Sequence, residues 1–530
     1  MGEPKLRPLA DVLRDWEAVI GLEVHTELTS LRTKMFCNCR LSHDDAPNTN
    51  VCPVCLGLPG ALPVPNREAI RAIVMAGLAC GCQIQRRSMF YRKHYFYPDM
   101  AKNFQTTQGP VAFCMHGRLD LEVSGEGAAE RPARADADAR GEALARSADG
   151  SYVVPVRILR IHMEEDAAKM VHAGGEEGRI DGATESFLDY NRCGTPLIEL
   201  VTEPDLRTPE EARLFMEKLR RTFRTLGISD CSLESGSMRC DGNVSLRRRG
   251  SRELGTKTEV KNLNSFKSLH DALAFEIRRQ ASLLEGGDPV RQETRHWEPS
   301  RRRTIAMRGK ETADDYRLFP DPDLAPFDLS DEFVESVRSL MPELPDAKRD
   351  RLQRQYGLKL HDAAQLADDP DVSARFEEAM ALATEGEKRP ASGSAGASAR
   401  GVAATVANVF VNLLPAFGAV TSAQAAGVSL LLVRDELTFA QARELLAALD
   451  GTDRDPEVAV DRLGLRQVSD VEALDPVVNE VLTRCTEQVA QYRDGNVKVI
   501  GYLVGQCMRA SSGSGNPKLF RKMLAERLDS

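Results

Sequence analysis

Residues 18–28, AVIGLEVHTEL, alternate apolar and polar side chains with the two-residue period of a β-strand. One face of this strand is apolar and consists of Ile20, Leu22, Val24 and Leu28. The opposite face carries Glu23, His25 and Glu27. The pattern predicts a half-buried strand whose polar face is lined with ionisable groups.

Two further stretches repeat this alternation. In residues 157–166, RILRIHMEED, the polar face consists of Arg160, His162, Glu164 and Asp166. In residues 237–246, SMRCDGNVSL, it consists of Arg239, Asp241 and Asn243. A solvated sheet face would also be polar, but it usually carries Thr, Lys and Glu. Histidines and carboxylates on two strands, with Arg, Asp and Asn on a third, are typical of a Mg²⁺ or phosphate site.

A fourth stretch, GTPLIELVTEPD at residues 194–205, places Glu199 inside an apolar run. An unpaired buried carboxylate is costly, so Glu199 needs a metal, a cation or hydrogen-bond donors as its partner. A salt bridge to Arg192 would satisfy it equally well. Both alternatives stay open on the sequence.

Residues 89–108, MFYRKHYFYPDMAKNFQTTQ, interleave tyrosines and phenylalanines with basic side chains. Aromatic faces stack on bases and cations contact phosphates, so the stretch is compatible with nucleotide binding. A strand whose aromatic side chains face the core and whose basic side chains are solvated is the alternative.

Four cysteines occur in two close pairs, Cys37-Asn-Cys39 and Cys52-Pro-Val-Cys55. Paired thiolates at this spacing predict one tetrahedral Zn²⁺ site. Four ordinary buried cysteines are the alternative. With sulfur at all four positions no coordination site stays open, so the zinc should have a structural role.

The predicted fold class is α+β, with an N-terminal mixed-sheet cradle domain at residues 1–325 that holds the zinc-bound loop. A helical domain at 326–450 and a small helical tail domain at 451–530 follow. Residues 124–150 are rich in Ala, Gly and charge and predict an exposed insertion. Residues 390–401, rich in Ser, Gly and Ala, predict a linker-like loop.

Hydropathy, cysteine content and charge further restrict the class of protein to which the chain can belong. The 530 residues contain no apolar run near the ~18 residues that span a bilayer. The N-terminus resembles no signal or transit peptide, and twelve cysteines without an export signal suggest a reducing cytoplasm. The net charge is −9, whereas residues 484–530 have eight basic and four acidic side chains, a charge of +4. This basic tail is either a solvated helical face or a nucleic-acid contact.

The chain contains no G-x-x-x-x-G-K-[ST] phosphate loop, no G-x-G-x-x-G turn, no G-x-S-x-G elbow and no H-E-x-x-H helix. It does resemble one family closely, the B subunit of aspartyl/glutamyl-tRNA(Asn/Gln) amidotransferase. The resembling stretches are VIGLEVHTEL, PNTNVCPVCLGLPGALPVPN, YRKHYFYPDM, RIHMEEDAAK, DYNRCGTPLIELVTEPD, GSMRCDGNVSLR, GTKTEVKNLNSF, QETRHWE and DDYRLFPDPDL.

The resemblance implies a reaction in which ATP phosphorylates the side-chain carboxylate of Glu-tRNA(Gln) or Asp-tRNA(Asn), after which ammonia displaces the phosphate. It also implies two protein partners. One is the glutaminase of the complex, an amidase subunit that hydrolyses glutamine and channels ammonia, and the other is a small third subunit. The absence of a glutaminase signature in this chain fits that division of labour. The cofactors implied are Mg²⁺ and, in those members that have the cysteines, Zn²⁺.

Site residues follow from the same resemblance. The resemblance implies catalytic roles for Lys93, Asp241 and Glu23, whereas the polar strand faces make Arg160 and Arg239 candidate phosphate contacts. The expected Mg²⁺ ligands are His25, Glu164, Glu165 and Glu199. Strand alternation puts Glu165 on the face opposite Glu164, so only a β-bulge would turn it toward the other ligands. The residues that hold the ATP base cannot be read from the sequence.

Two alternatives accompany this interpretation. A zinc-stabilised tRNA-binding module without catalysis would explain the cysteines and the basic tail, but it would not need the carboxylate and histidine faces. The archaeal relative specific for Glu-tRNA(Gln) carries a large extra domain before its helical region. Here residues 309–324 run almost directly into the helical region, so the bacterial type of subunit is favoured.

Overall fold

The computed structural model describes residues 6–42, 44–131, 146–174, 182–307, 316–387, 399–467, 471–511 and 515–529. The chain divides into two compact units, Met1–Leu344 and Pro345–Ser530. The middle of the predicted insertion, residues 132–145, and most of the predicted linker, residues 390–398, lie outside the described residues.

The first unit is built on strands, with a few helices. Its strands are β1 (Trp16–Glu27), β2 (Gln83–Ile84), β3 (Arg87–Ser88), β4 (Phe90–His94), β5 (Phe104–Gln108), β6 (Cys114–Val123), β7 (Tyr152–Glu165), β8 (Lys169–Ala173), β9 (Glu185–Asp189), β10 (Pro196–Thr202), β11 (Met238–Arg248), β12 (Thr258–Lys261), β13 (Glu293–Glu298), β14 (Arg303–Ala306), β15 (Phe319–Pro320) and β16 (Phe327–Asp328). Its helices are α1 (Leu9–Asp15), α2 (Arg67–Ala79), α3 (Gly125–Glu130), α4 (Pro209–Thr225), α5 (Phe266–Gly286) and α6 (Asp331–Ser339).

One large sheet organises this unit. Its strands run in the order β14-β13-β12-β11-β1-β10-β7-β5-β4-β15, and β6 pairs with both β2 and β7. Neighbouring strands of the sheet are antiparallel except β12 and β13, which are parallel. The mixed sheet confirms the predicted α+β class.

The apolar strand faces form the core of the first unit. Ile20, Leu22 and Val24 of β1 are at most 1% exposed. Helix α4 adds Phe215, Leu219 and Phe223 to the same cluster, and α5 adds Leu269, Leu273 and Ile277. Each large apolar side chain buried in this way contributes roughly 1.5–3 kcal/mol.

The pair Thr208-Pro209 predicts a helix start, and α4 begins there. The Thr208 side chain accepts a hydrogen bond from the Glu211 backbone N–H, and Pro209 occupies the first helical position. Threonine satisfies a free donor of the first turn, and proline costs nothing where no N–H is needed. The start of this helix is predictable from the sequence because capping depends only on residues adjacent in the chain.

Helix α6 belongs to the first unit, whereas the sequence prediction ends the cradle domain at residue 325. Val334 and Val337 of α6 are buried in the same core as the sheet. The unit therefore extends to Leu344. Amphipathic periodicity predicts the helix, but it does not indicate which core the apolar side of that helix joins.

The described flanks of residues 124–150 are less solvated than their composition predicts. Ala128 and Arg131 are 4% and 2% exposed, and the Arg131 guanidinium donates a hydrogen bond to Glu211 at 2.9 Å. Glu211 also accepts a hydrogen bond from the Tyr152 hydroxyl at 3.0 Å. A polar composition does not reveal that one of its charges is buried against a partner 80 residues away.

The second unit is helical in its described parts. Its helices are α7 (Pro345–Tyr356), α8 (Leu360–Ala367), α9 (Pro370–Glu387), α10 (Ala399–Asn412), α11 (Ser422–Val433), α12 (Phe439–Leu449), α13 (Pro456–Arg462), α14 (Val471–Arg484), α15 (Thr486–Arg493), α16 (Ile500–Ala510) and α17 (Pro517–Leu528). They form two apolar clusters, one from Leu352 to Leu465 and one from Leu474 to Leu528. The helical periodicity of residues 475–492 predicts one helix, but the structure interrupts it at Cys485, which leaves the helical conformation with φ −105° and ψ 45°. Among the described residues, no helix is long and apolar enough to span a membrane.

Candidate active site

The sheet brings the predicted polar strand faces side by side. His25 on β1 lies opposite Glu199 on β10, and Glu199 lies opposite His162 on β7. On the other flank of β1, Glu23 lies opposite Asp241 on β11. Residues that face each other across a ladder project from the same side of a sheet. The polar residues of four separate sequence stretches therefore form one continuous surface.

Two groups on this surface have the composition and spacing of a metal site, and they share Glu199. The first consists of Glu23, His25 and Glu199, and the second of His162, Glu164 and Glu199. Within each group the potential ligand atoms lie within 4.8 Å of one another. The Oε2 atom of Glu199 is 3.4 Å from His25 Nε2 and 3.3 Å from His162 Nε2. Carboxylate oxygens and imidazole nitrogens are suitable ligands for a divalent cation.

Burial and neighbouring charges strongly shift the pKa values of the residues in these two groups. Burial alone would raise the pKa of Glu199, but hydrogen bonds from His162 and His25 outweigh it and hold that pKa far below its usual range. Burial disfavours the charged form of His162, yet the carboxylates of Glu164 and Glu199 raise its pKa to about 9. Desolvation, followed by the charge of Glu199, raises the pKa of Glu23. Three carboxylates concentrated in this way require protons or a cation between them.

The salt bridge considered between Glu199 and Arg192 does not form in the structure. Arg192 donates instead to Glu27 and Asp166, with Nη2–oxygen distances of 2.5 and 2.7 Å. The guanidinium nearest to Glu199 is that of Arg160, whose Nη2 is 3.8 Å from Oε1. Histidines therefore supply the close contacts of the Glu199 carboxylate.

Asp241 has a partner that the sequence prediction missed. The ammonium group of Lys261, on β12, lies 2.5 Å from Asp241 Oδ2 and 3.2 Å from Glu259 Oε1. The pKa of Lys261 is raised, because these two carboxylates outweigh its burial. The alternation of Glu259 and Lys261 in the stretch TEVK was the available signal.

Lys93 lies on the same side of the sheet, two strands from Glu164. It pairs with Gln105 across the β4–β5 ladder, and Gln105 Nε2 donates to Glu164 Oε2 at 3.0 Å. The Lys93 ammonium is 4.9 Å from the centroid of the Tyr316 ring. Thr107, which lies opposite Glu164, donates its hydroxyl to Glu164 Oε1 at 2.8 Å. Neither Gln105 nor Thr107 was singled out from the sequence.

Glu165 lies outside both groups. Its carboxylate forms an ion pair with Lys102 and accepts a hydrogen bond from the Thr106 backbone N–H at 2.8 Å. The alternation of β7 turns it away from Glu164, and the only irregularity in the β7–β10 ladder lies near Thr202, far from Glu165. The structure therefore does not bring Glu165 together with His25, Glu164 and Glu199.

The two candidate phosphate contacts, Arg160 and Arg239, differ in how closely their guanidinium groups are paired with carboxylates. Arg239 Nη2 is 2.6 Å from Asp166 Oδ2, so this guanidinium is already paired with a carboxylate. The Arg160 side chain is 36% exposed, and its Nε lies 3.3 Å from His162 Nδ1. Arg160 Nη2 lies 3.8 Å from Glu199 Oε1, whereas Arg239 lies opposite His25 across the β1–β11 ladder.

The four paired cysteines converge on one point. Cys55 Sγ is 3.6 Å from Cys37 Sγ, 3.7 Å from Cys52 Sγ and 3.8 Å from Cys39 Sγ. Four sulfurs bound tetrahedrally at ~2.3 Å from one ion would be about 3.8 Å apart. All twelve cysteines of the chain lie in the described residues, and each is a free thiol. The cluster therefore fits a metal ion without rearrangement.

Comparisons with known proteins identify the family of this chain. Residues 18–335 match the GatB/GatE catalytic domain, and residues 394–528 match the GatB domain. The chain is 41% identical over 522 residues to the B subunit of aspartyl/glutamyl-tRNA(Asn/Gln) amidotransferase from Carboxydothermus hydrogenoformans, covering 97% of this chain and 99% of that protein. The identically named protein of a Geobacter species is 42% identical over 513 residues, with the same two coverages.

These matches define the class of the first unit as a catalytic domain of the type shared by GatB and GatE proteins. The similarity to the B subunits extends over nearly the whole chain. The chain belongs to the GatB family, the B subunits of aspartyl/glutamyl-tRNA(Asn/Gln) amidotransferase.

Proposed function

We propose that this chain is the subunit that activates and amidates the amino acid of a misacylated tRNA. ATP would phosphorylate the side-chain carboxylate of Glu-tRNA(Gln), Asp-tRNA(Asn) or both, and ammonia would then replace the phosphate. Its relatives are named for both tRNA(Asn) and tRNA(Gln), which supports both substrates. A carboxylate is a poor electrophile, and phosphorylation supplies it with a leaving group.

The observation that carries this proposal is the pair of metal-binding groups that share Glu199. Phosphoryl transfer depends mainly on positioning and on neutralising charge at the phosphoryl oxygens. A Mg²⁺ ion bound here would neutralise that charge and align the phosphates. Within this site His25, Glu164 and Glu199 would hold the ion, together with His162. The histidines must be neutral to ligate.

The remaining polar residues of the same sheet face have distinct roles in the proposal. Lys93 and Arg160 offset the negative charge of the phosphoryl group. Asp241 is held in place by Lys261 and orients the incoming amine. Glu23, whose pKa is raised by burial, accepts the proton that ammonia releases when the carbon–nitrogen bond forms. Glu165 and Arg239 are not assigned to the reacting centre: Glu165 pairs with Lys102 outside both metal-binding groups, and Arg239 pairs with Asp166.

The four-cysteine cluster is proposed to bind Zn²⁺ in a structural role. All four ligand positions are sulfur, and Cys55 is buried. Free thiols throughout the chain support a reducing, cytoplasmic location. The proposed partners are the amidase subunit, the small third subunit and the misacylated tRNA, which the basic helices near the C-terminus would contact.

A direct test uses the complex of this chain with its two partner subunits. Glu-tRNA(Gln) and Asp-tRNA(Asn) are supplied separately with ATP, Mg²⁺ and either glutamine or ammonium. Formation of Gln-tRNA(Gln) or Asn-tRNA(Asn), with one phosphate released for each amide, supports the proposal. A folded, metal-loaded complex that binds both tRNAs and amidates neither would instead indicate a binding module. The comparison of the two tRNAs also identifies the preferred substrate.

A further inference from the structure

A lysine is fully buried beside the four-cysteine cluster. Lys34 is 1% exposed, and its ammonium group donates to Cys55 Sγ at 3.5 Å and to the Tyr190 carbonyl at 3.0 Å. Among the described residues, Lys34 forms no ion pair with a carboxylate. A buried cation without a counter-charge is costly, so a negative charge is needed close to this ammonium group.

The carboxylate that lies beside the same turn is already neutralised. Both Lys34 and Glu165 approach Gly194: a Cβ atom on this glycine would lie 3.5 Å from Lys34 Cδ and 3.8 Å from Glu165 Oε2. Glu165, however, forms its ion pair with Lys102, whose side chain is 9% exposed. Two buried lysines and one buried carboxylate leave one positive charge to be balanced. Of the two acceptors that Lys34 contacts, only the sulfur can carry a negative charge.

The backbone fixes Lys34 in this position. The Lys34 N–H donates to the Cys39 carbonyl at 3.0 Å, and the Met35 N–H donates to the Gly194 carbonyl at 2.8 Å. The ammonium contact with the Tyr190 carbonyl adds a third bond between the same two segments. Lys34 is therefore held between the cysteine loop and the turn at 190–195, which leads into β10.

A metal-loaded cluster supplies the charge that Lys34 needs. One divalent ion bound by four thiolates has a net charge of about −2. An ammonium group against Cys55 offsets half of that charge and donates an N–H···S hydrogen bond to the ligand. With four neutral thiols and no metal, the same ammonium group would be a buried cation without a counter-charge. The position of Lys34 therefore suits the metal-loaded state.

We propose that Lys34 is the buried counter-ion of the zinc–thiolate cluster and positions Cys55 to bind the metal. The inference rests on the zinc site proposed above and adds to it a residue outside the four ligands. The alternative is a purely structural role, in which Lys34 only ties the cysteine loop to the Tyr190 carbonyl. The two roles differ in the metal-free chain, because a counter-ion stabilises the fold only while the metal is bound.

The test substitutes Lys34→Met in the full-length chain, which removes the charge and keeps an unbranched side chain. Lys34→Gln, which retains an N–H donor for the Tyr190 carbonyl, is a second variant in case Lys34→Met does not fold. The control is Thr195→Val, which removes the hydrogen bond from the Thr195 hydroxyl to the Arg192 carbonyl in the same turn. Zinc affinity is measured under reducing conditions by competition with a chromophoric chelator. Thermal midpoints of unfolding are measured with Zn²⁺ bound and after its removal.

The Lys34 variants should bind Zn²⁺ roughly 10- to 100-fold more weakly than the wild type, the loss expected when a group that supports a metal ligand is removed. They should lower the thermal midpoint of the zinc-loaded chain, and this loss should shrink or reverse in the metal-free chain. Thr195→Val should destabilise both forms alike and keep its zinc affinity within twofold of the wild-type value.

A Lys34 variant with zinc affinity within twofold of the wild type overturns the inference. So does an equal loss of thermal midpoint with and without the metal, which is the result expected of a purely structural lysine. A wild-type chain that binds no zinc removes the zinc site and the inference together. The amidation assay does not depend on any of these measurements, so failure of the proposed reaction is recognised separately.

Discussion

His25 and Glu199 face each other across the β1–β10 ladder, with His25 Nε2 3.4 Å from Glu199 Oε2. The two residues are far apart in the sequence, and only the antiparallel register brings them together. The next strand, β7, contributes His162 to the same carboxylate oxygen at 3.3 Å. Glu199 is therefore the central residue of the polar sheet face, and it is the first to test.

Replacing Glu199 with Gln should weaken divalent metal binding by roughly 100-fold or more, because both metal-binding groups lose their shared ligand. Binding of Mn²⁺ to the complex, followed by electron paramagnetic resonance, measures this effect without any assay of turnover. Glu185→Gln, at an exposed carboxylate on β9, is the control and should bind Mn²⁺ as the wild type does. Unchanged Mn²⁺ affinity in Glu199→Gln would remove this residue from the site.

Replacing Asp241 with Asn should lower the amidation rate by roughly 100-fold or more and leave Mn²⁺ affinity nearly unchanged. The physical reason is that Asp241 lies beside the metal-binding groups but belongs to neither. Lys261→Met should reproduce much of the defect, since it frees the Asp241 side chain from its ion pair. Rates are measured with ammonium as the nitrogen source, so that the amidase subunit does not contribute. A variant with a wild-type rate would exclude Asp241 from the chemical step.

Replacing Cys52 with Ser should remove one equivalent of zinc per chain and lower the thermal midpoint of unfolding. Loss of one thiolate leaves three ligands, and structural zinc contributes directly to the free energy of folding. Atomic absorption and calorimetry measure the two effects. Cys82→Ala, at a thiol outside the cluster, should retain the zinc. The structural role is refuted if Cys52→Ser keeps its thermal midpoint while losing metal-dependent phosphorylation.

The ion pair between His270 and Glu130 should make stability depend on pH. A 2.9 Å contact with Glu130 raises the pKa of His270 above its unfolded value of 6.5. The folded state therefore binds this proton more tightly than the unfolded state does. The stabilisation is fully present below pH 6.5 and disappears as the pH rises through the raised value.

Urea unfolding of the wild type and of His270→Gln should consequently differ most at acidic to neutral pH and converge at alkaline pH. The control is His116→Gln, at an exposed histidine on β6. A stability difference between wild type and His270→Gln that stays constant from pH 6 to pH 9, or grows over that range, would exclude the ion pair as its source.

Replacing Arg131 with Met should cost about 3–5 kcal/mol of unfolding free energy, because it leaves the buried Glu211 carboxylate without its cation. Arg118→Met breaks an exposed ion pair with Asp120 and should cost about 0–1 kcal/mol. Chemical denaturation of the two variants measures the difference. If the two variants lose the same unfolding free energy, the buried Arg131–Glu211 pair contributes no more to stability than the exposed Arg118–Asp120 pair does.

Much of the first unit could be predicted from local patterns. Alternation predicts β1, β7 and β11 and the polarity of each face, because consecutive side chains of any strand point in opposite directions. The same rule indicates that Glu165 faces away from Glu164, as the structure shows. Thr208 before Pro209 and Asn516 before Pro517 likewise predict helix starts, and α4 and α17 begin there.

Residues that act through distant partners could not be predicted in this way. Lys261 reaches Asp241 from the neighbouring strand, and Gln105 and Thr107 reach Glu164 from a strand some 57 to 59 positions away. Composition described residues 124–150 as exposed, yet Arg131 is buried against Glu211. Strand order and ion-pair burial depend on the packing of the whole chain, and no local pattern encodes them.

The sequence by itself determined the α+β class, the polar character of three strand faces, the paired thiols and the family. These properties follow from residue spacing along one strand or loop and from similarity to known chains. Only the tertiary structure decided that Glu199 lies between two histidines, that Lys102 engages Glu165 and that Lys261 engages Asp241. The reason is physical: a side chain's face is a local property of its strand, whereas its neighbours are set by strand order and register.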